Sequence, residues 1–247
     1  MIRLILISTL LIFISGRNLI ASPIISGISN NEINIDTSFK GTQVLLFGAK
    51  GYAGDIVIAI RGPQKDFRVT KKRRFLGLWH NGQRVVFKDT YSLYSLFSTF
   101  NNIKESSKLL EELELGKSNI HFNTDKNIDE NLKSNFKIEL VDQLEKKGLY
   151  SPGTGKIDFL DETLFKVIID FPKNISRGVY TAEIYLVNNK NLLSFQSIPI
   201  YVNQVGLSGQ VLDFSQKQSF LYGILAVLLA LVIGWLANVI FVKLFSK

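Results

Sequence analysis

The sequence predicts a mainly β protein, an immunoglobulin-like β-sandwich with a helical insertion, followed by one C-terminal transmembrane helix. Three observations support this prediction. Short segments with a period of two lie on both sides of a block with helical periodicity. A tyrosine stands at the entry to the penultimate predicted strand, and residues 220–242 carry no formal charge. The body, residues 23–202, is long enough to bury a core of its own.

The first half of the body has the pattern of strands. Ile33 and Ile35 alternate with polar residues, as in a half-buried strand, and Arg61-Gly62-Pro63 marks a turn. Asn81-Gly82 lies between two extended runs, which predicts a hairpin turn at 80–83. The predicted strands are residues 32–36, 42–47, 55–60, 67–74 and 84–88.

A helical insertion is predicted at about 90–148. Aromatic residues recur every three positions from Tyr91 to Phe100, and leucines at 109, 110 and 113 precede Gly116. Residues 129–147 have apolar side chains at a spacing of four and end before Gly148, which predicts an amphipathic helix.

Strands return at 164–171, 179–187 and 195–202. Pro199 predicts that the last of them lies at a sheet edge or a bulge, because proline cannot donate a ladder hydrogen bond. Tyr180 is placed as in the tyrosine corner of immunoglobulin-like domains. The alternative is an ordinary turn with a core tyrosine.

The C-terminus predicts a membrane anchor. Residues 220–242 would form a helix of about 35 Å, enough to cross a hydrocarbon core of about 30 Å with some tilt. Residues 203–219 are then a stalk between body and anchor, and residues 243–247 a cytoplasmic tail.

The N-terminus has the layout of a secretory signal peptide over residues 1–21. Arg3 precedes an apolar run, and small residues follow near Ala21. An uncleaved anchor, giving two spans, is the alternative. In both cases we expect the body in the periplasm and the anchor in the inner membrane, with Lys243 and Lys247 in the cytoplasm.

The composition offers little for catalysis. The chain has no cysteine and only two histidines, His80 and His121, so thiol chemistry is excluded and an ordinary zinc site is not expected. Asp158, Asp161 and Glu162 could present carboxylates together, but a solvated turn is the simpler interpretation. We therefore expect no enzyme, no metal and no cofactor. The alternatives are an envelope enzyme with an unidentified carboxylate site and a purely structural envelope protein.

The basic residues are concentrated in residues 61–88, where nine lysines and arginines accompany Asp66 alone, for a net charge of +8. We interpret this segment as a docking surface for an anionic ligand, lipid headgroups or an acidic partner. The alternative is an edge strand that uses charge against aggregation. Nucleic acid is not expected outside the cytoplasm. The candidate docking residues are Arg61, Arg68, Lys71, Lys72, Arg73, Arg74 and Trp79.

The anchor carries a second pattern. Ala226, Ala230, Gly234 and Asn238 are spaced by four and share one helix face. Small residues at this spacing allow close helix approach, and asparagine in lipid favours a hydrogen-bond partner. The pattern predicts self-association or a membrane protein partner. The alternative is chance, because small residues are common in spans.

Several motifs together resemble the alphaproteobacterial putative transmembrane protein family, over nearly the whole mature chain. They are Ser-Phe-Lys-Gly-Thr at 38–42, Leu-Leu-Phe-Gly-Ala at 45–49, the run from Asp55 to Pro63, Gly-Leu-Trp at 77–79, Gly-Leu-Tyr at 148–150, Gly-Val-Tyr at 178–180 and Leu-Tyr-Gly at 221–223. The resemblance implies an exported protein with a single span and carries over no catalytic residue. The sequence thus predicts a binding or accessory module of a membrane complex.

Overall fold

The computed structural model describes residues 23–75, 77–99, 107–124 and 128–245. The predicted signal peptide, residues 1–21, and the last two residues of the tail lie outside these ranges. The strands are β1 (Ile24–Ile28), β2 (Glu32–Ile35), β3 (Gly41–Lys50), β4 (Asp55–Arg61), β5 (Gln64–Phe75), β6 (Leu78–Tyr91), β7 (Tyr94–Ser98), β8 (Tyr150–Lys156), β9 (Asp158–Phe159), β10 (Leu164–Pro172), β11 (Gly178–Asn188) and β12 (Asn191–Gln204). The helices are α1 (Ser107–Glu112), α2 (Glu130–Lys146), α3 (Gly206–Lys217) and α4 (Ser219–Phe245).

The strands form two larger sheets and one hairpin. The first sheet has the order β1-β3-β10-β9, and the second has the order β2-β12-β11-β4-β7-β8. Neighbouring strands are antiparallel except for β2 with β12 and β7 with β8, which are parallel. Strands β5 and β6 pair only with each other in the described chain.

One hydrophobic core lies between the two larger sheets. In β3 and β10 every second side chain is buried, whereas β4 is buried along nearly its whole length. Phe171 of the first sheet packs edge-to-face against Tyr180 of the second, with ring centroids 5.7 Å apart. The chain is therefore mainly β, as predicted, because alternating apolar side chains give each sheet one face that must be covered.

The immunoglobulin-like assignment is supported by two details and stays a prediction. The orders β1-β3-β10-β9 and β12-β11-β4 correspond to the ABED and GFC sheets of that fold. The Tyr180 hydroxyl donates to the Ser176 carbonyl (2.8 Å) and accepts from the Ser176 N–H (3.2 Å), as a tyrosine corner does. Pro199 lies where β12 has β11 on one side and no described strand on the other, because β2 pairs only with residues 201–204.

The hairpin turn lies elsewhere than predicted. Phe75 pairs with Leu78, so the two-residue connection is 76–77, with Gly77 at φ +83°. Asn81 and Gly82 lie within β6, beside a register shift opposite residues 70–72. A β-carbon at Gly82 would stand 2.8 Å from the Lys71 carbonyl oxygen, so this glycine permits the close approach of the strands at a bulge.

The helical block begins later than predicted. Residues 94–98 form β7, and the first described helix starts at Ser107. Tyr94, Leu96 and Ser98 are buried and alternate with half-buried residues. The three-residue spacing of the aromatic side chains was therefore misleading, because burial at positions 94, 96 and 98 follows the period of two of a strand. Helix α2 is as predicted: Phe136, Leu140 and Leu144 are buried, and Gly148 follows it at φ +69°.

The predicted stalk is largely helical. Helix α3 occupies 206–217, and Arg177 of the body contacts Asp213 at 3.2 Å. Phe214 packs edge-to-face on Tyr222, which joins α3 to α4 across Gln218. Residues Ser219–Val242 of α4 are long and apolar enough to cross a membrane, and nothing in the described chain buries them.

Candidate docking hairpin and anchor face

The β5–β6 hairpin leaves the body at the end from which the anchor departs. We call this the anchor end of the second sheet; it is defined by the pairs Gly178–Val202, Thr181–Arg61 and Arg61–Tyr94. Strand β12 continues from here into α3 and α4. The hairpin starts three residues after Arg61 and returns three residues before Tyr94, so its base and the start of the stalk lie at one end of the fold.

The base of the hairpin is packed. Val69, Val85 and Phe87 are buried, and Phe87 meets Phe122 edge-to-face with ring centroids 5.8 Å apart. A cleft of about 310 Å³ separates β5 from α2 and is lined by Val69, Thr70, Lys71, Lys72, Asn135, Phe136, Glu139 and Gln143. The first half of the hairpin is thus held against the helical block.

The distal half of the hairpin is exposed on both strands. From residue 71 to residue 81, every described side chain is exposed except that of Gly77, which has none. Phe75, Leu78 and Trp79 are 67%, 76% and 67% exposed. No ion pair forms on Lys71, Lys72, Arg73 or Arg74 with any described carboxylate. We call residues 71–75 and 78–80 the hairpin tip.

The register orders the tip along its length. Cross-strand partners share a face of the hairpin, so Phe75 lies beside Leu78, Arg74 beside Trp79 and Arg73 beside His80. One face therefore carries Phe75 and Leu78 at the turn with Arg73 behind them, and the other face carries Trp79 level with Arg74 and has Lys72 behind them. Of the predicted docking residues, Lys71, Lys72, Arg73, Arg74 and Trp79 lie in this tip, and Arg68 is exposed farther toward the base.

Arg61 does not belong to the exposed surface. Its side chain is 12% exposed, and Nη1 lies 3.0 Å from Glu183 Oε2. Nη2 donates to the carbonyls of Leu113 (2.7 Å) and Glu114 (3.3 Å). Burial alone would lower the pKa of Arg61, but the adjacent Glu183 carboxylate raises it overall. Arg61 thus fixes the helical block to the sheet. Sequence charge alone could not separate it from its exposed neighbours.

Buried tyrosines surround this ion pair. The Tyr185 hydroxyl donates to Glu183 Oε2 at 2.7 Å, and Tyr94 accepts from the Gly116 N–H at 2.7 Å. Burial raises the pKa of Tyr94 to about 12, against the smaller lowering effect of the Gly116 hydrogen bond. Burial also raises the pKa of Tyr150 and of Tyr185, the latter helped by Glu183. Together with the Arg61–Glu183 ion pair, these hydrogen bonds stabilise the anchor end from within the core.

The predicted anchor face lies on a continuous helix, α4, whose side chains are exposed from Ser219 to Val242 except for the half-buried Val239. A β-carbon added to Gly234 would meet no atom within 4 Å, so the backbone is open to close approach at this point. Ala226, Ala230 and Asn238 are exposed on the same helix. The self-association or partner predicted for this face stays a prediction.

The three carboxylates at 158–162 do not converge on a buried site. Asp158, Asp161 and Glu162 are all exposed, and the Glu162 N–H donates a hydrogen bond to the Asp161 carboxylate at 2.8 Å. Over the described ranges, no group of three or more His, Asp or Glu side chains is placed to hold a metal ion.

Two exposed apolar features were not among the predicted residues. Phe75 and Leu78 extend the tip beyond Trp79; the uncharged run at 75–79 directly after four bases was the available signal. On the outer face of the first sheet, Leu45 pairs with Ile168 and Phe47 with Lys166, and the three apolar side chains are 38–51% exposed. The unbroken apolar run at 44–47 within β3 was the signal there.

The chain matches a known protein family over most of its length. A family model described as "Putative transmembrane protein (Alph_Pro_TM)" matches residues 23–243, which covers the body, the stalk and the anchor. No curated protein and no solved structure matches the chain.

Proposed function

The chain belongs to this family of transmembrane proteins, and on that premise we propose that it is a non-enzymatic accessory module that docks on an anionic surface through its hairpin tip. The observation that carries the proposal is the set of exposed cations at the tip, which have no ion-pair partner among the described residues, combined with exposed Phe75, Leu78 and Trp79. Aromatic side chains and arginine are enriched where proteins bind partners.

A solvated edge strand explains less of this geometry. Charges that protect an edge against aggregation need no apolar side chains between them. The tip instead places three large exposed apolar residues around the turn of the hairpin, next to four consecutive bases. Exposed apolar groups rimmed by charge mark interaction sites.

We also propose that the body lies in the periplasm and that α4 crosses the inner membrane. The predicted signal peptide and the apolar helix Ser219–Val242 support this topology. Protease added to spheroplasts is expected to degrade the body while a cytoplasmic marker stays intact. Full protection of the body under these conditions would contradict the proposed orientation.

Docking is tested by photo-crosslinking from the tip in native membranes. A benzophenone amino acid in place of Leu78 is expected to form adducts with a membrane component. Replacing Lys71, Lys72, Arg73 and Arg74 with glutamine, the hairpin variant, is expected to abolish them. The same amino acid at Tyr52, which is 53% exposed in the loop between β3 and β4 at the opposite end, serves as the position control.

A charge-matched variant separates docking from net charge. It removes four exposed lysines that have no described ion pair and lie outside the hairpin: Lys40, Lys156, Lys173 and Lys190, each changed to glutamine. Adducts at residue 78 should persist in this variant. Equal adduct yields from residues 52 and 78, or equal loss in both charge variants, would refute the proposal.

A further inference from the structure

From the order of side chains along the hairpin, we infer that the anionic surface is the phospholipid interface of the membrane that α4 crosses, and that the tip inserts into it. This inference rests on the proposed docking function and names the occupant. The tip would act as a second, reversible membrane contact beside the permanent anchor.

The side chains of the tip follow the same order as the layers of a bilayer, from apolar to charged. Phe75 and Leu78 lie at the turn, Trp79 lies level with Arg74 about 3 Å behind them, and Arg73, Lys72 and Lys71 follow at about 7–13 Å behind Phe75, from a strand rise of about 3.3 Å per residue. A bilayer has the same order, with hydrocarbon inside and a headgroup layer of about 5–8 Å on each side. Tryptophan favours this boundary, and basic side chains reach back to lipid phosphates.

The positive charge of the tip is complementary to an anionic membrane surface. Lys71, Lys72, Arg73 and Arg74 are exposed and have no described ion-pair partner. Lys71 and Lys72 also line the cleft beside α2, so Arg73 and Arg74 are the bases most available to lipid phosphates. The remainder of the body, outside residues 61–88, carries a net charge of −4, because residues 23–202 hold 20 acidic and 24 basic residues and the segment 61–88 alone accounts for +8. The attraction to an anionic leaflet is therefore concentrated in the hairpin.

The length of the hairpin also supports contact with the membrane surface. The hairpin leaves the anchor end, and its 12-residue strand β5 is about 40 Å long. The stalk helix α3 starts from the same end and, at 12 residues, spans about 18 Å before α4 begins. The hairpin is thus long enough to meet the surface into which α4 descends.

The test uses Trp79 as a reporter in the full chain. The chain has two tryptophans, so Trp235→Phe leaves Trp79 as the single one. The protein is placed in nanodiscs of phosphatidylcholine alone or with phosphatidylglycerol, with or without brominated acyl chains. With phosphatidylglycerol, we expect a shift of Trp79 emission to shorter wavelength, quenching by the brominated chains and loss of quenching by aqueous iodide.

Two variants test the two halves of the tip. The hairpin variant should lose the quenching by brominated lipid, while the charge-matched variant keeps it. Phe75→Ser with Leu78→Ser should also lose it although every charge remains. Near-UV circular dichroism of the buried tyrosines checks that each variant is folded. Unchanged quenching in either folded tip variant, or no quenching of the parent in phosphatidylglycerol, would overturn the inference.

A third arm separates this inference from the proposed function. If lipid does not quench Trp79 but detergent-solubilised membrane extract protects it from iodide, the docking function stands and the lipid inference fails. If Trp79 stays accessible to iodide in lipid and in extract alike, both fail.

Discussion

Replacing Arg61 with methionine is expected to destabilise the body by about 3–5 kcal/mol, the cost of breaking a buried ion pair by removing one partner. Arg61 and Glu183 are only 12% and 15% exposed and are 3.0 Å apart. Without the guanidinium, the Tyr185 hydroxyl at 2.7 Å is the one hydrogen-bond partner left to the Glu183 carboxylate among the described residues, and the Leu113 carbonyl loses its donor. This loss is a large fraction of a typical stability of about 5–15 kcal/mol.

The expected loss of stability comes mainly from leaving the buried Glu183 carboxylate without its counter-charge, and less from the lost Arg61–Glu183 ion pair itself. A double variant, Arg61→Met with Glu183→Leu, removes both charges and should therefore be more stable than Arg61→Met alone. It should not regain the full stability of the parent, because the carbonyls of Leu113 and Glu114 still lack the Arg61 donor.

The assay is urea unfolding of the full chain in detergent micelles, followed by the near-UV circular dichroism of the body. Arg68→Met is the matched control: Arg68 lies seven residues after Arg61, in β5, but is exposed, so its replacement should change stability by less than about 0.5 kcal/mol. Equal costs for Arg61→Met and Arg68→Met would refute the structural role of Arg61. So would a double variant whose cost equals the sum of the two single costs.

Two further predictions concern the anchor and the tyrosine network. If the anchor face packs on another helix, Gly234→Leu should disrupt helix association in a reporter assay, and Asn238→Leu should weaken it by about 0.5–2 kcal/mol. Leu228→Ile, on the opposite face, should change association little. Identical association of all three variants and the parent would show that α4 serves only as an anchor. Because burial raises the pKa of Tyr94 to about 12, the protonated form is favoured in the folded state. The contribution of Tyr94 to stability should therefore be constant up to about pH 10 and then fall by about 3 kcal/mol as the pH rises to about 12, and comparison with Tyr94→Phe separates it from the contributions of Tyr150 and Tyr185. Absorbance of phenolate and circular dichroism, recorded together, check this: ionisation of Tyr94 near pH 10 in a folded protein, assigned by comparison with Tyr94→Phe, would contradict it.

The sequence alone determined the features that depend on local patterns. A run of 23 uncharged residues can satisfy its backbone in lipid only as a helix, and that helix is α4. Alternating apolar residues located β2, β3, β4, β10, β11 and β12, and the four-residue spacing in 129–147 located α2. The concentration of bases at 61–88 was likewise visible, because composition needs no fold.

Only the tertiary structure decided which of these basic residues are exposed and can bind a partner. Arg61 and Arg74 are both bases in one segment, yet Glu183, more than a hundred residues away, pairs with Arg61 and leaves Arg74 exposed. Asn81-Gly82 became a bulge because the whole register of β5 and β6 outweighs one local turn signal. Burial, pairing and register arise from contacts between distant segments, and a local pattern carries no information about its distant partner. For that reason the sequence predicted a basic docking segment, and the fold placed its exposed part at the end of a hairpin.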